Sequence, residues 1–163
     1  MAMQLVKLSQ RNIWEIVRLR VTPEQDEKGF VAPNAYSVME AFAVREDGYI
    51  ALPFGLYEAG RPVGFLMIGY GTIGDADEPK VAQGNYSIWR LMIDARFQGQ
   101  GLGKRAVEAA LSYIRTWPCG KADCCWLSYD PDNTGARALY TRMGFRENGE
   151  TDGDEIVAVL PLA

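Results

Sequence analysis

The sequence predicts a mixed α/β (α+β) domain built on one sheet with helices on both faces. Three observations carry this. Apolar segments of strand length recur along the chain, Ile50 to Tyr57, Pro62 to Tyr70 and Tyr86 to Ile93 being the clearest. Two stretches, Leu102 to about Thr116 and a later one with Ala136, Leu139, Tyr140 and Met143, carry apolar residues on one helical face. The element order, βα(α)βββαβαβ, layers helices against a single mixed sheet. At 163 residues the chain is expected to be one domain, 1–163, with a core of its own.

The elements follow in order. Gln4 to Leu8 alternate as a first strand. Asn12 is placed to cap a helix whose Ile13, Ile16, Val17 and Leu19 keep helical spacing. The polar stretch Thr22 to Lys28 breaks that pattern, and Asn34 to Ser37 lead into a second helical segment. Glu58-Ala59-Gly60-Arg61 reads as a hairpin turn, and Gly71 to Gln83 as a loop rich in Gly, Asp and Glu. Pro118-Cys119-Gly120 ends the helix that begins at Leu102. Ala122 to Ser128 is a strand, Asp130 to Asn133 a turn and helix start, and Gly144 a helix C-terminal cap. Glu155 to Leu160 closes the chain's strands.

Composition narrows the function. Apolar residues at 48% and charged residues at 23% make an ordinary globular mix. No apolar run reaches the roughly 20 residues of a membrane span, and the first residues lack a signal-peptide pattern. The expectation is a cytoplasmic protein without a membrane partner. A net charge of -4 argues against nucleic acid and favours a cationic small molecule. The absence of histidine excludes His-based triads and a His general base. Cys119, Cys124 and Cys125 are odd in number and lack metal-site spacing, so no metal is expected and the thiols read as reduced and inert.

The segment Ile88 to Lys104 is the most informative. An apolar strand runs into Gly99, Gly101 and Gly103, and a helix begins at once. Such a turn aims backbone N–H groups and the positive helix end at one point, where a phosphate fits. A Walker A loop fails, because Gly103-Lys104 is followed by Arg105 and Gln98 stands where its first glycine belongs. A dinucleotide fingerprint starting at Gly101 reaches Ala106, with Asp123 near the distance of its acidic residue, and stays as a weak alternative.

Gln98-x-x-Gly101-x-Gly103 resembles the acyl-CoA signature of the GNAT N-acetyltransferases. A second segment, Asn133 to Phe145, resembles that family's other signature, in the expected order. The resemblance implies the GNAT fold, with a mixed, mostly antiparallel sheet, and acetyl-CoA as cosubstrate. It implies that Gln98, Gly99, Gln100, Gly101, Leu102, Gly103 and Lys104 hold the CoA pyrophosphate. Leu91, Met92 and Ile93 would bond the pantetheine arm through their backbone on a strand splayed from its neighbour, and Asn133 would contact CoA. Arg137 would reach a CoA phosphate or lie solvated.

The same resemblance makes Tyr140 the proton donor to the leaving thiolate, a role its phenol suits because it stays protonated at neutral pH. The family's usual glutamate is missing from Tyr86-Ser87-Ile88-Trp89-Arg90, so the general base is left as a water chain to bulk or to a distant acid. Cys124 and Cys125 sit mid-strand and are poor nucleophiles, so the amine attacks the thioester directly.

Phe30 to Ala41 resembles the early segment of bacterial spermine/spermidine acetyltransferases. A polyamine wants carboxylates and aromatic faces at intervals, and Glu24, Glu40, Tyr36 and Trp89 are the residues expected to supply them. Arg90 would pair with an acid near the acceptor or snorkel to an edge, and the loop acids Asp75, Asp77 and Glu78 read as solvated. Another small amine, a protein amine, or acyl-CoA sensing without turnover are the alternatives. Family habit suggests a homodimer.

Overall fold

A computed structural model describes residues 2–163. Among them seven strands form one sheet in the order β1-β2-β3-β4-β5-β7-β6. The strands are β1 (Gln4–Lys7), β2 (Ile50–Glu58), β3 (Arg61–Tyr70), β4 (Tyr86–Ile93), β5 (Cys124–Tyr129), β6 (Arg146–Asp152) and β7 (Glu155–Pro161). β4 and β5 run parallel, and every other neighbouring pair is antiparallel. The helices are α1 (Ile13–Val17), α2 (Pro23–Lys28), α3 (Asn34–Glu46), α4 (Leu102–Ile114) and α5 (Thr134–Arg142).

β3 lies inside the sheet and is buried on both faces, and its alternation sorts the two cores. Leu66 and Ile68 face a cluster completed by Ala106, Val107, Ala110 and Ile114 of α4. Phe65 and Met67 face the opposite side, where Ile16 of α1 and Ala41 of α3 pack. Burying each of these large side chains is worth about 1.5–3 kcal/mol. The turn at Ala59 and Gly60 has φ of 51° and 76°, the left-handed pair that suits a two-residue hairpin.

Three local features differ from the sequence reading. Thr22 to Lys28 contains a helix rather than a break. The Thr22 side chain accepts from the Gln25 amide, Gln25 Oε1 accepts from the Thr22 amide, and Pro23 opens the first turn. Asn12 does not cap α1, because its carboxamide binds Ser9 N and Lys7 O instead. β6, Arg146–Asp152, was not expected. Its sequence RENGETD holds no large apolar residue, since it is a mostly exposed edge strand with an irregular register against β7.

Candidate active site

β4 and β5 pair only through Tyr86↔Cys125 and Ser87↔Trp126. Beyond that point the strands separate, and Ile88 to Ile93 lose their neighbour on that side. A bulge contributes, since Ile88 and Arg90 pair with successive residues Ile68 and Met67 and leave Trp89 as the extra residue. A cleft of about 700 Å³ opens at the separation, lined by Ile88 to Ile93 on one wall and by α5 on the other.

One end of this cleft is the glycine turn. Gly99 and Gly101 have φ of 77° and 76°, which an L side chain adopts only with strain. α4 starts at Leu102 with Gly101 as its cap residue and no side chain accepting from its first amides. Gln98, Gly99, Gly101, Leu102 and Gly103 line the cleft there. Uncapped amides at the positive end of a 13-residue helix form a binding point for an anion. A Cβ on Gly103 would stand 3.3 Å from Leu139 Cδ2, so α4 and α5 approach closely at the cleft floor.

Gln98 acts through its side chain as well. Its Nε2 donates to the Ile93 carbonyl and to Gln25 Oε1, each at 2.9 Å. Asp94, 4% exposed, fastens the same corner by accepting from the Arg20 and Arg96 amides and from Arg96 Nε. Burial pushes the Asp94 carboxyl up, but those hydrogen bonds and the Arg96 charge outweigh it and hold it below its usual range. Gln100 and Lys104, which the sequence reading grouped with the loop, are outside the cleft wall; the Lys104 ammonium lies 3.9 Å from Glu108.

Across the cleft, Asn133 Oδ1 caps α5 by accepting from the Ala136 amide at 3.2 Å. Tyr140, on the next turns of α5, lines the cleft and stacks on Tyr129 with ring centroids 6.1 Å apart. Burial, then the Glu155 carboxylate and the Cys125 thiol, push the Tyr140 phenol well above its ordinary value. It therefore keeps its proton at neutral pH. Tyr129 donates to Glu147 Oε2 at 2.9 Å, and Arg137 pairs with both Glu147 oxygens. Arg137 thus braces α5 against β6. Cys125 is fully buried and its thiol is pushed up by burial, which disfavours the thiolate a nucleophile needs.

A second cleft of about 440 Å³ adjoins the first, and Ile88, Trp89, Arg90, Ser128 and Glu155 line both. Its wall carries six carboxylates, Glu40, Asp75, Asp77, Glu78, Asp152 and Glu155, against one cation, Arg90. Arg90 is committed to Glu40 at 2.9 Å and lies over the Trp89 ring. Glu78 holds the loop by accepting from the Ile73, Gly74 and Asp75 amides. Among the described residues no Lys or Arg is within ion-pair distance of Asp75, Asp77, Asp152 or Glu155. Burial, then Glu155, Glu78 and Asp75, push the Asp152 carboxyl up against the opposing pull of Arg90.

This arrangement redistributes the acceptor residues named from sequence. Trp89 and Glu40 line the acidic cleft. Glu24 is exposed and pairs with Lys28, Tyr36 is on the open face of α3, and neither borders a cleft. Asp75, Asp77 and Glu78, read as solvated, stand in the cleft wall. Asp152 and Glu155 went unnoticed. They are register partners across the β6–β7 turn, and only the order β5-β7-β6 brings that turn beside β4.

A family model described as the acetyltransferase (GNAT) family matches residues 13–145. The chain belongs to that family. It is an N-acetyltransferase, and acetyl-CoA is its cosubstrate. It is 39% identical over 129 residues to the spermine/spermidine N(1)-acetyltransferase of Bacillus subtilis (strain 168), covering 75% of this chain and 80% of that protein. It is 38% identical, with the same coverage, to a probable spermine N(1)-acetyltransferase of Bacillus subtilis subsp. natto (strain BEST195). Among solved structures it is similar to the aminoglycoside acetyltransferase AAC(6')-Ib in complex with coenzyme A and kanamycin, with a TM-score of 0.78 and 18% identity over 98% of this chain and 95% of that one. PaiA N-acetyltransferase from Thermoplasma acidophilum in complex with coenzyme A gives a TM-score of 0.64 and 15% identity over 99% of both chains. At these identities the structural likeness is one of fold.

Proposed function

We propose that this acetyltransferase acts on a polyamine of the spermidine and spermine class. The observation that carries the reading is the acidic cleft, six carboxylates against one guanidinium, opening directly onto the splayed strands. A polyamine is a row of ammonium groups on methylene spacers. At an effective dielectric constant near 20, a unit pair about 4 Å apart is worth roughly 4 kcal/mol, so carboxylates with no Lys or Arg beside them, such as Asp75, Asp77 and Asp152, attract such a cation strongly. The spacers need apolar contact, and Ile73, Ile88, Trp89 and Trp126 supply it in the same wall. The 39% identity to a spermine/spermidine acetyltransferase supports the same acceptor.

The reading assigns roles along the first cleft. The amides at Gly99 to Gly103 bind the CoA pyrophosphate, and Leu91, Met92 and Ile93, paired with β3 but without a β5 partner, bond the pantetheine arm through backbone groups other than the Ile93 carbonyl that Gln98 holds. This orients the thioester toward the junction of the two clefts. The amine attacks there directly, and Tyr140 gives its proton to the departing thiolate. Asn133 flanks the cofactor arm while capping α5.

The reading also puts the protein in the cytoplasm, where three free thiols fit a reducing compartment; no helix among the described residues is long and apolar enough to cross a membrane. Tyr36, Met39 and Phe42 leave an apolar face on α3, with Met39 69% exposed, which a second copy would cover in a homodimer. Sedimentation velocity measures that directly. The acceptor is tested by mass spectrometry of spermidine incubated with enzyme and acetyl-CoA. A product heavier by one acetyl group on a primary amine is expected, and unmodified spermidine beside an acetylated aminoglycoside would reject the polyamine.

A further inference from the structure

We infer that Glu155 is the general base of this enzyme, taking the proton from the acceptor's ammonium at the junction of the two clefts, with Ser128 as its positioning residue. The proposal rests on the acceptor reading above only for the identity of the amine. Three geometric facts carry it. Glu155 is the one carboxylate among the described residues that lines both the cofactor cleft and the acidic cleft, so it stands where thioester and amine must meet. Its Oε1 accepts from Ser128 Oγ at 2.8 Å, which fixes the carboxylate and leaves its other oxygen for the amine. It heads β7 one register step beyond Tyr129, on which Tyr140 stacks, so donor and base flank one reaction point from α5 and from β7.

β4 itself offers no base, because Trp89 occupies its bulge and Arg90 is engaged with Glu40. The charged and titratable groups around Glu155 are Tyr140 on α5, Asp152 across the turn, Arg90 on β4, and Asp75 and Glu78 on the β3–β4 loop.

An ammonium, R–NH₃⁺, passes one proton to Glu155, which releases it to water through the open acidic cleft. The neutral amine's lone pair forms the C–N bond to the thioester carbonyl carbon, and the C–S bond breaks with its electron pair going to sulfur. Tyr140 protonates that thiolate and regains a proton from the nitrogen. The products are R–NH–acetyl, CoA thiol and one released proton.

The test uses full-length Glu155→Gln, Ser128→Ala and Asp152→Asn, with thiol release followed across pH on whichever amine the wild type turns over best. Glu155→Gln is expected to lower kcat roughly a hundredfold or more near neutral pH. It should leave the CoA dissociation constant within about twofold and recover activity as rising pH deprotonates the amine unaided. Ser128→Ala is expected to shift the acid limb of the profile with a smaller loss of kcat, and Asp152→Asn to raise KM for the amine with kcat nearly kept. A Glu155→Gln enzyme with wild-type kcat and pH profile overturns the proposal, as does transfer of the kcat loss and acid limb to Asp152→Asn. If spermidine is not the amine turned over, the polyamine reading fails while the comparison of variants still decides the base.

Discussion

Gln98 and Gln25 are clipped together in the wall of the first cleft: Gln98 Nε2 donates to Gln25 Oε1 at 2.9 Å, while the same oxygen accepts from the Thr22 amide at 3.2 Å. The head of the anion loop is thereby tied to α2, and through Ile93 O to the end of β4. Each such bond is worth about 1 kcal/mol net. Gln98→Ala should therefore raise KM for acetyl-CoA by about 5- to 30-fold with a lesser effect on kcat. Steady-state kinetics with the amine saturating measures it, and an unchanged KM contradicts the clip.

Tyr140 separates chemistry from packing. Tyr140→Phe keeps the ring that stacks on Tyr129 and meets Phe145 edge-on, and removes only the proton donor. kcat should fall by about 10²–10⁴, with CoA affinity within about twofold and a nearly unchanged Tm. Wild-type turnover in this variant would leave the residue a core aromatic.

Asp94 predicts an acid limit to stability. Its carboxyl is held below the ordinary value of 3.8 in the folded protein, so the unfolded chain binds its proton at higher pH than the folded one. The contribution is full above the unfolded value and is lost as pH falls through the folded one. Asp94→Asn leaves one acceptor oxygen where the Arg20 and Arg96 amides now use two, and should cost about 2 kcal/mol at pH 7, roughly 4–8 °C in Tm for a chain of this size. The loss should shrink below about pH 4. Thermal melts at pH 7 and pH 3 check both parts.

Asp75 and Asp77 should act on the amine through charge alone. Replacing both by Asn is expected to raise KM for spermidine about tenfold at low ionic strength while KM for acetyl-CoA stays put. The difference should narrow as salt screens the cleft, since the Debye length falls to about 8 Å at 0.15 M. A salt-independent effect would argue for shape instead.

The glycine turn was legible because its signal is local. Gln98, Gly99, Gly101 and Gly103 fall between an apolar strand and an amphipathic helix, so spacing alone marks an anion turn. The acidic cleft was not, because it is assembled from four places: Glu40 on α3, the Asp75 to Glu78 loop, Trp89 and Arg90 on β4, and the turn holding Asp152 and Glu155. No periodicity connects these. β6 escaped because an exposed edge strand needs no apolar face, and α2 because its stability comes from the Thr22–Gln25 capping box rather than from a buried stripe. Glu24 and Tyr36 had the right chemistry for a polycation but are exposed and line neither cleft.

The most direct measurement of the central claim is thiol release from acetyl-CoA with spermidine, kanamycin and a lysine peptide offered separately. We expect kcat/KM for spermidine to exceed the other two by at least tenfold. Preference for kanamycin or the peptide, or CoA binding without turnover on any amine, would contradict the polyamine reading.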